Sequence, residues 1–264
     1  MTFIVAVSND EVAIHVADTL LTNPDGSFHA DELVKTTIVH CRDAKLLLSY
    51  TGLAILDSTR TDKWLVACLR KFNAPTKVFN EIVQFITKCL NESLSRNPAL
   101  RSAGLTLVIN GLGLSPSGEH QQAIALVSNR HKPIPKRNDF AEVDPKNTPF
   151  SSFFRSPPTW YMAVHGAVSE QLNIGGHRRK IIEDLKAVNT QDEMKKLLDS
   201  LVAMLRLQRT DPKLGKLIGD DCTAVAISKD YKSFSYFYSR NSTVQRFPNI
   251  VRPEGTIEDF EISH

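Results

Sequence analysis

The chain opens on two short runs of strand-forming residues, Phe3 to Val7 and Val12 to Ala17, separated by the polar stretch Ser8-Asn9-Asp10-Glu11. Polar turn residues between two apolar runs predict a hairpin. A second pair, Leu33 to Cys41 and Lys45 to Tyr50, flanks Arg42-Asp43-Ala44, and the unbroken Leu46-Leu47-Leu48 predicts a strand buried on both faces. The period then changes to 3.6. Trp64, Leu65, Cys68, Leu69 and Phe72 share one helical face and Val78, Ile82, Phe85, Ile86 and Cys89 another, with Ala74-Pro75-Thr76 between them. Strand character returns at Leu105 to Ile109, Ala123 to Val127 and Trp160 to Val164. Ile181 to Val188 and Met194 to Leu207 predict two further amphipathic helices, and Thr223 to Ile227 and Phe234 to Tyr238 close the pattern with two strands.

This order, strands and helices in blocks, lacks the strict alternation that builds a doubly wound sheet and requires segregated layers. It predicts an α+β fold, a four-layer αββα sandwich with helices on both outer faces of two stacked sheets. Residues 1–264 are expected to form one domain. Two segments carry no sustained period. Between Arg130 and Pro158 lie six of the 13 prolines and the basic run Arg130 to Arg137, which predicts a Pro-rich basic insertion at about 130–158. From about residue 248 the chain is expected to be an extended tail. Gly111 to Gly118 reads as a hairpin loop.

Composition narrows the partners. Hydrophobic residues make up 42% and charged residues 23%, close to globular averages. Lys plus Arg number 32 against 29 for Asp plus Glu, so charge offers no basis for a nucleic-acid partner. The clusters at 130–137 and 177–180 interleave no aromatic residues and read as solvated. No run approaches the roughly 18 apolar residues a membrane span needs, and the N-terminus lacks a basic leader, so the expectation is no membrane association and a cytoplasmic location. The four cysteines, at 41, 68, 89 and 222, form no C-x-x-C pair; Cys68 and Cys89 are expected to be buried small hydrophobes. The eight histidines show no ligand spacing, and Gly219-Asp220-Asp221-Cys222 lacks a Gly-rich phosphate loop, so neither a metal nor a cofactor is expected. His165 reads as a strand-end histidine.

The sharpest signals fall in the first 52 residues. Thr2 stands directly before a strand, Val16-Ala17-Asp18-Thr19-Leu20-Leu21-Thr22 ends the second, Lys35 lies in the third, and Tyr50-Thr51-Gly52 ends the fourth. This arrangement resembles the proteasome β-subunit family of N-terminal nucleophile (Ntn) hydrolases, and the block order extends the likeness over most of the chain. The Lys35 to Gly52 interval is a few residues longer than the family's, which a wider turn at Arg42-Asp43-Ala44 absorbs. The resemblance implies a threonine-nucleophile amide-bond hydrolase, acting on a peptide or amide and activated by removal of Met1. Thr2, Asp18, Lys35 and Gly52 would be its catalytic residues, and Thr22 and Tyr50 would contact substrate. It implies a homo-oligomer and leaves an ATPase partner open.

These residue types suit that chemistry. A threonine hydroxyl must lose its proton as it attacks, and an α-amino group, with a pKa of about 7.7–8.0, is a base close to the optimum at neutral pH. A lysine beside it favours the alkoxide and keeps the amine neutral, an aspartate holds the lysine, and a backbone N–H at a glycine donates to the developing oxyanion. The chain departs from the family in two places. A serine-rich segment is replaced by His165-Gly166-Ala167-Val168-Ser169, where Gly166 matches, and Lys213 to Cys222 keeps Gly219 without the family's preceding Asp and Ser. Those departures motivate the alternative of a non-catalytic Ntn-fold assembly or binding scaffold.

Overall fold

The computed structural model describes residues 3–22, 28–31, 33–97, 104–115, 117–133, 140–155, 159–166, 174–188, 190–212, 218–219, 221–230, 232–239, 247–254 and 260–262. The first strands are β1 (Phe3–Ser8), β2 (Val12–Asp18), β3 (Leu20–Thr22), β4 (Phe28–Asp31), β5 (Thr36–His40), β6 (Ala44–Gly52), β7 (Ile55–Leu56) and β8 (Thr59–Arg60). Helices α1 (Thr61–Lys71) and α2 (Phe79–Arg96) follow, then β9 (Leu105–Leu114), β10 (His120–Ser128), β11 (His131–Pro133), β12 (Phe140–Glu142), β13 (Ser151–Phe154) and β14 (Tyr161–Gly166). Helices α3 (Ile174–Ala187) and α4 (Gln191–Arg209) precede β15 (Cys222–Ser228), β16 (Ser233–Tyr238), β17 (Asn249–Val251) and β18 (Phe260–Ile262).

Two six-stranded sheets stack face to face, one ordered β14-β1-β2-β15-β16-β18 and the other β13-β10-β9-β6-β5-β17. Alternation along each strand divides its side chains between two cores. In β1 and β2, Phe3, Val5, Val7, Ile14 and Val16 pack under α3 and α4. Ala13 of β2 instead meets Ile38 and Leu47 of the facing sheet. In β6, Leu46, Leu48 and Tyr50 pack under α1 and α2. The architecture is thus a four-layer αββα sandwich, and the Leu46-Leu47-Leu48 run is buried on both faces as expected. Burying each such leucine contributes about 1.5–3 kcal/mol. A capping box starts α4: the Thr190 hydroxyl accepts from the Glu193 N–H at 3.3 Å, and the Glu193 carboxylate accepts from the Thr190 N–H at 3.0 Å.

Several local expectations change. The second strand ends at Asp18, although the Thr19 N–H still bonds the Asp221 carbonyl at 3.1 Å in the β2–β15 register, and Thr22 lies in the separate strand β3, paired with β4. Lys35 immediately precedes β5 and is not within it. Gly111 and Gly113 lie inside β9, the turn falling after Leu114. The Pro-rich segment holds the β11–β12 hairpin and the edge strand β13, which pairs with β10 from Ser128↔Ser151 to Ala125↔Phe154. Edge strands tolerate neighbouring prolines because one side of the ladder needs no partner. The tail adds one parallel strand to each sheet, β17 on β5 and β18 on β16. Cys68 and Cys89 are half-buried, since both sit at the margin of the α1–α2 core.

Candidate active site

Lys35 and Asp18 meet in a fully buried ion pair, with Nζ 3.1 Å from Oδ1 and neither side chain accessible to solvent. The pair joins the layers: β2 supplies Asp18 from one sheet, and Lys35 enters from the start of β5 in the other. Its surroundings satisfy the carboxylate. Asp18 Oδ1 also accepts the Phe3 N–H at 2.9 Å, and Oδ2 accepts the Gly219 N–H at 3.1 Å. Lys35 Nζ donates in addition to the Leu20 carbonyl. Charge-assisted bonds of this kind are about twice as strong as neutral ones. The first peptide of β1 is therefore pinned to the carboxylate that holds the lysine.

Gly52 ends at the same rim. Across the inter-sheet layer Ala13 packs in one cluster with Leu47, and His15 Nδ1 lies 2.7 Å from the Ser49 hydroxyl, so β2 and β6 run the same way. From the His15–Ser49 bond, three residues lead to Asp18 on one strand and three to Gly52 on the other, about 10 Å in each case. Gly52 has φ of 108°, and a Cβ there would lie 2.2 Å from the Gly104 carbonyl oxygen. Only glycine accepts that backbone and that contact. Gly52→Ala is expected to destabilise the protein by roughly 2–3 kcal/mol, read as a lowered midpoint in urea unfolding; an unchanged midpoint would show that this strand end relaxes freely.

The remaining sequence-predicted residues are placed differently. Thr2 lies outside the described residues. Its covalent neighbour Phe3 pairs with Gly166 on one side of β1, while Ile4 pairs with Ala17 on the other. Thr22 is on β3, close in sequence to Leu20, whose carbonyl meets Lys35. Tyr50 is 1% exposed and packs in the core under α1 and α2, so the structure does not bring its ring to the rim as a pocket wall. Burial pushes its hydroxyl far above the ordinary range, and the Asp62 charge acts in the same direction. A cavity of about 360 Å³ at the opposite end of the first sheet, lined by Glu11, Thr190, Lys229 and Phe234 among others, includes none of these residues.

Sequence reasoning missed a polar seam one step inward from the rim. The Ser49 hydroxyl bridges His15 and the Thr36 hydroxyl, at 2.7 and 2.8 Å. On the other side His165, opposite Ile4 on the strand next to β1, meets His131 edge to face at 5.4 Å. His131 Nδ1 lies 3.0 Å from the Ser128 hydroxyl and 3.2 Å from that of Thr106. Burial pushes the His15 and His165 imidazoles down to about 3, helped in His15 by His165 and in His165 by His131. The three histidines are 116 and 34 residues apart in order of position, so no sequence spacing could signal the cluster. The second omission is the Gly219 N–H. The glycine was visible as the start of a late strand, but its bond to Asp18 spans 201 residues.

The layers and rim together define a proteasome-like αββα sandwich. Among solved structures, a Gly-1 mutant of Anbu from Hyphomicrobium sp. strain MC1 matches with a TM-score of 0.53 and 11% identity, over 92% of this chain and 89% of that one. Anbu from Yersinia bercovieri, described as an ancestral beta-subunit, matches with a TM-score of 0.49 and 12% identity, over 90% and 88%. At 11% identity the first of these likenesses shows a shared fold and nothing about activity. No protein-family model and no curated protein matches the sequence. Among the described residues no cluster of metal-ligating side chains is found, and no helix is long and apolar enough to cross a membrane.

Proposed function

We propose that the chain is a threonine-nucleophile amide hydrolase of the proteasome-like type, activated when Met1 is removed. The observation that carries this reading is the buried Lys35–Asp18 pair whose carboxylate also binds the Phe3 N–H. It sets a cation beside the strand end that bears Thr2. In this mechanism the freed α-amine of Thr2 takes the hydroxyl proton as Oγ1 attacks the substrate carbonyl. Lys35 stabilises the developing alkoxide and keeps the amine neutral, and the Gly52 N–H donates to the oxyanion. Collapse expels the amine, which leaves with the transferred proton, and water then hydrolyses the threonyl ester to release the acid and restore Thr2. An extended peptide or amide would pair along the backbone at Thr22. The reading includes a homo-oligomeric, cytoplasmic protein and assigns no cofactor.

Intact mass and labelling test the proposal together. The native protein is expected to lack Met1, to react once with an electrophile directed at N-terminal threonine, and to lose both labelling and peptide hydrolysis in Thr2→Ala. Retention of Met1, or hydrolysis unchanged in Thr2→Ala, would overturn it. A second reading, a non-catalytic scaffold of the same fold, draws on His165-Gly166-Ala167-Val168-Ser169, which matches the family's serine-containing segment clearly only at Gly166, and on the missing Asp and Ser before Gly219. It requires that no label attach to Thr2 in a protein that has lost Met1.

A further inference from the structure

The cavity of about 360 Å³ opens between the turn from β1 to β2, the turn from β15 to β16 and the connection from α3 to α4. Close-packed proteins leave few voids larger than a water molecule, and this one has room for roughly a dozen at about 30 Å³ each. Ligand sites begin at about 300 Å³. The floor is apolar: Val12, Val188, Met194 and Phe234 all belong to the core under α3 and α4, and none is more than 8% exposed. Water over such a floor finds few hydrogen-bond partners, so an apolar group that displaces it is favoured. Met194, unbranched and with a polarisable sulfur, lets the floor adjust to the shape of its guest.

The rim above this floor is charged and balanced. It carries Glu11, Lys229, Asp230 and Lys232. Lys229 pairs with Glu11 from the neighbouring turn and Lys232 with Asp230 at 3.4 Å, the four side chains being 42–60% exposed. Exposed ion pairs contribute little stability, so each can exchange its partner for a ligand's charge at small cost. The backbone beneath them is tied down. The Lys229 N–H donates to the Glu11 carbonyl at 2.8 Å, the Ser228 N–H to the Lys232 carbonyl at 3.0 Å, and the Asn9 side-chain amide to the Leu185 carbonyl near the end of α3 at 2.9 Å. Two cations and two carboxylates leave this rim without net charge. A ligand with a single charge meets attraction from one sign and repulsion from the other, whereas a zwitterion satisfies both. We propose that the cavity binds a free apolar amino acid, its side chain on the apolar floor, its α-carboxylate held by the rim lysines and its α-ammonium by Glu11 and Asp230. The site lies about 20 Å along β2 from Asp18, so its occupancy does not depend on whether Thr2 reacts.

The experiment titrates the full native chain, isotopically labelled at nitrogen, with L-phenylalanine and follows the backbone amide shifts, with calorimetry on the unlabelled protein. The expected result is saturable shifts at the Val12, Val188, Lys229 and Phe234 amides, none at Asp18 or Lys35, and a Kd of about 1 mM or lower. Hydrocinnamate, which lacks the ammonium, and phenethylamine, which lacks the carboxylate, should each bind about tenfold more weakly or worse. Glu11→Gln and Lys229→Gln change half-exposed side chains, and each should weaken L-phenylalanine binding by about tenfold. Absence of saturable shifts, shifts centred elsewhere, either analogue binding as tightly as L-phenylalanine, or unchanged affinity in both variants would each overturn the proposal. Because the ligand series is read on the wild-type chain, the result does not depend on how the variants fold.

Discussion

Asp18→Ala is expected to destabilise the protein by about 3–5 kcal/mol, because it leaves the Lys35 ammonium buried without its counter-charge. Removing one partner of a buried pair costs more than removing both, since the surviving charge loses its attraction while remaining desolvated. The variant also orphans the Phe3 and Gly219 N–H groups, each of which ends on that carboxylate. Asp18→Asn retains acceptors for those donors and should be less damaging. The double variant Asp18→Leu with Lys35→Met removes both charges, and should be more stable than Asp18→Ala by about 2 kcal/mol, although the orphaned donors keep it below wild type. Urea unfolding of the four proteins checks this. A double variant no more stable than Asp18→Ala would mean that the two charges do not depend on each other. All of these variants should be inactive if the amide-hydrolase proposal holds, because each removes the ammonium or its support.

Acid is expected to unfold this protein earlier than its carboxylates require. His15 and His165 are neutral in the fold, with pKa values pushed from 6.5 down to about 3 by burial. In the unfolded chain they bind protons near pH 6.5. Stability is therefore fully present above about pH 6.5, falls as the pH drops below that value because the unfolded state takes up protons, and reaches its full loss near pH 3. Well inside that window each histidine contributes a slope of about 1.4 kcal/mol per pH unit, up to about 5 kcal/mol apiece over the whole window. Ordinary carboxylates titrate near 4, so the upper part of the window belongs to histidine. His165→Asn should lower the dependence of urea unfolding free energy on pH between 6 and 4.5 by about one proton. An unchanged slope would show that His165 is not held neutral by the fold. The positions explain the size of the effect: both imidazoles lie between two sheets whose other inward residues include Ala6, Val108, Leu126 and Val225.

Much of the fold was legible because strand and helix periods are local. Phe3 to Val7, Val12 to Ala17 and the Leu46-Leu47-Leu48 run needed only their own spacing to be read, and the block order then left few layer arrangements. The short elements were not legible for the same reason. Three-residue strands such as β17 and β18 contain less than two alternations, and they become strands only because β5 and β16 offer unpaired edges. Tyr50 shows the limit at a single residue. The sequence marks it as near the rim, but the pleat decides which face it takes, and in β6 that face turns toward the helices with Leu46 and Leu48.

The candidate site divides along the same line. The sequence pointed to Asp18, Lys35 and Gly52 through their order, which resembles that of the proteasome β-subunit family, and a cation, its counter-charge and a strand-end glycine suit the chemistry that resemblance implies. Only the tertiary structure decided that Asp18 and Lys35 form a buried pair, that the Phe3 and Gly219 N–H groups complete the carboxylate, and that Gly52 ends at the same rim. Those outcomes depend on the register between two stacked sheets and on contacts up to 201 residues apart. Local periodicity determines which face of an element is apolar. It does not specify how far one sheet slides over another, and that offset is set by packing and by cross-layer bonds such as His15 to Ser49.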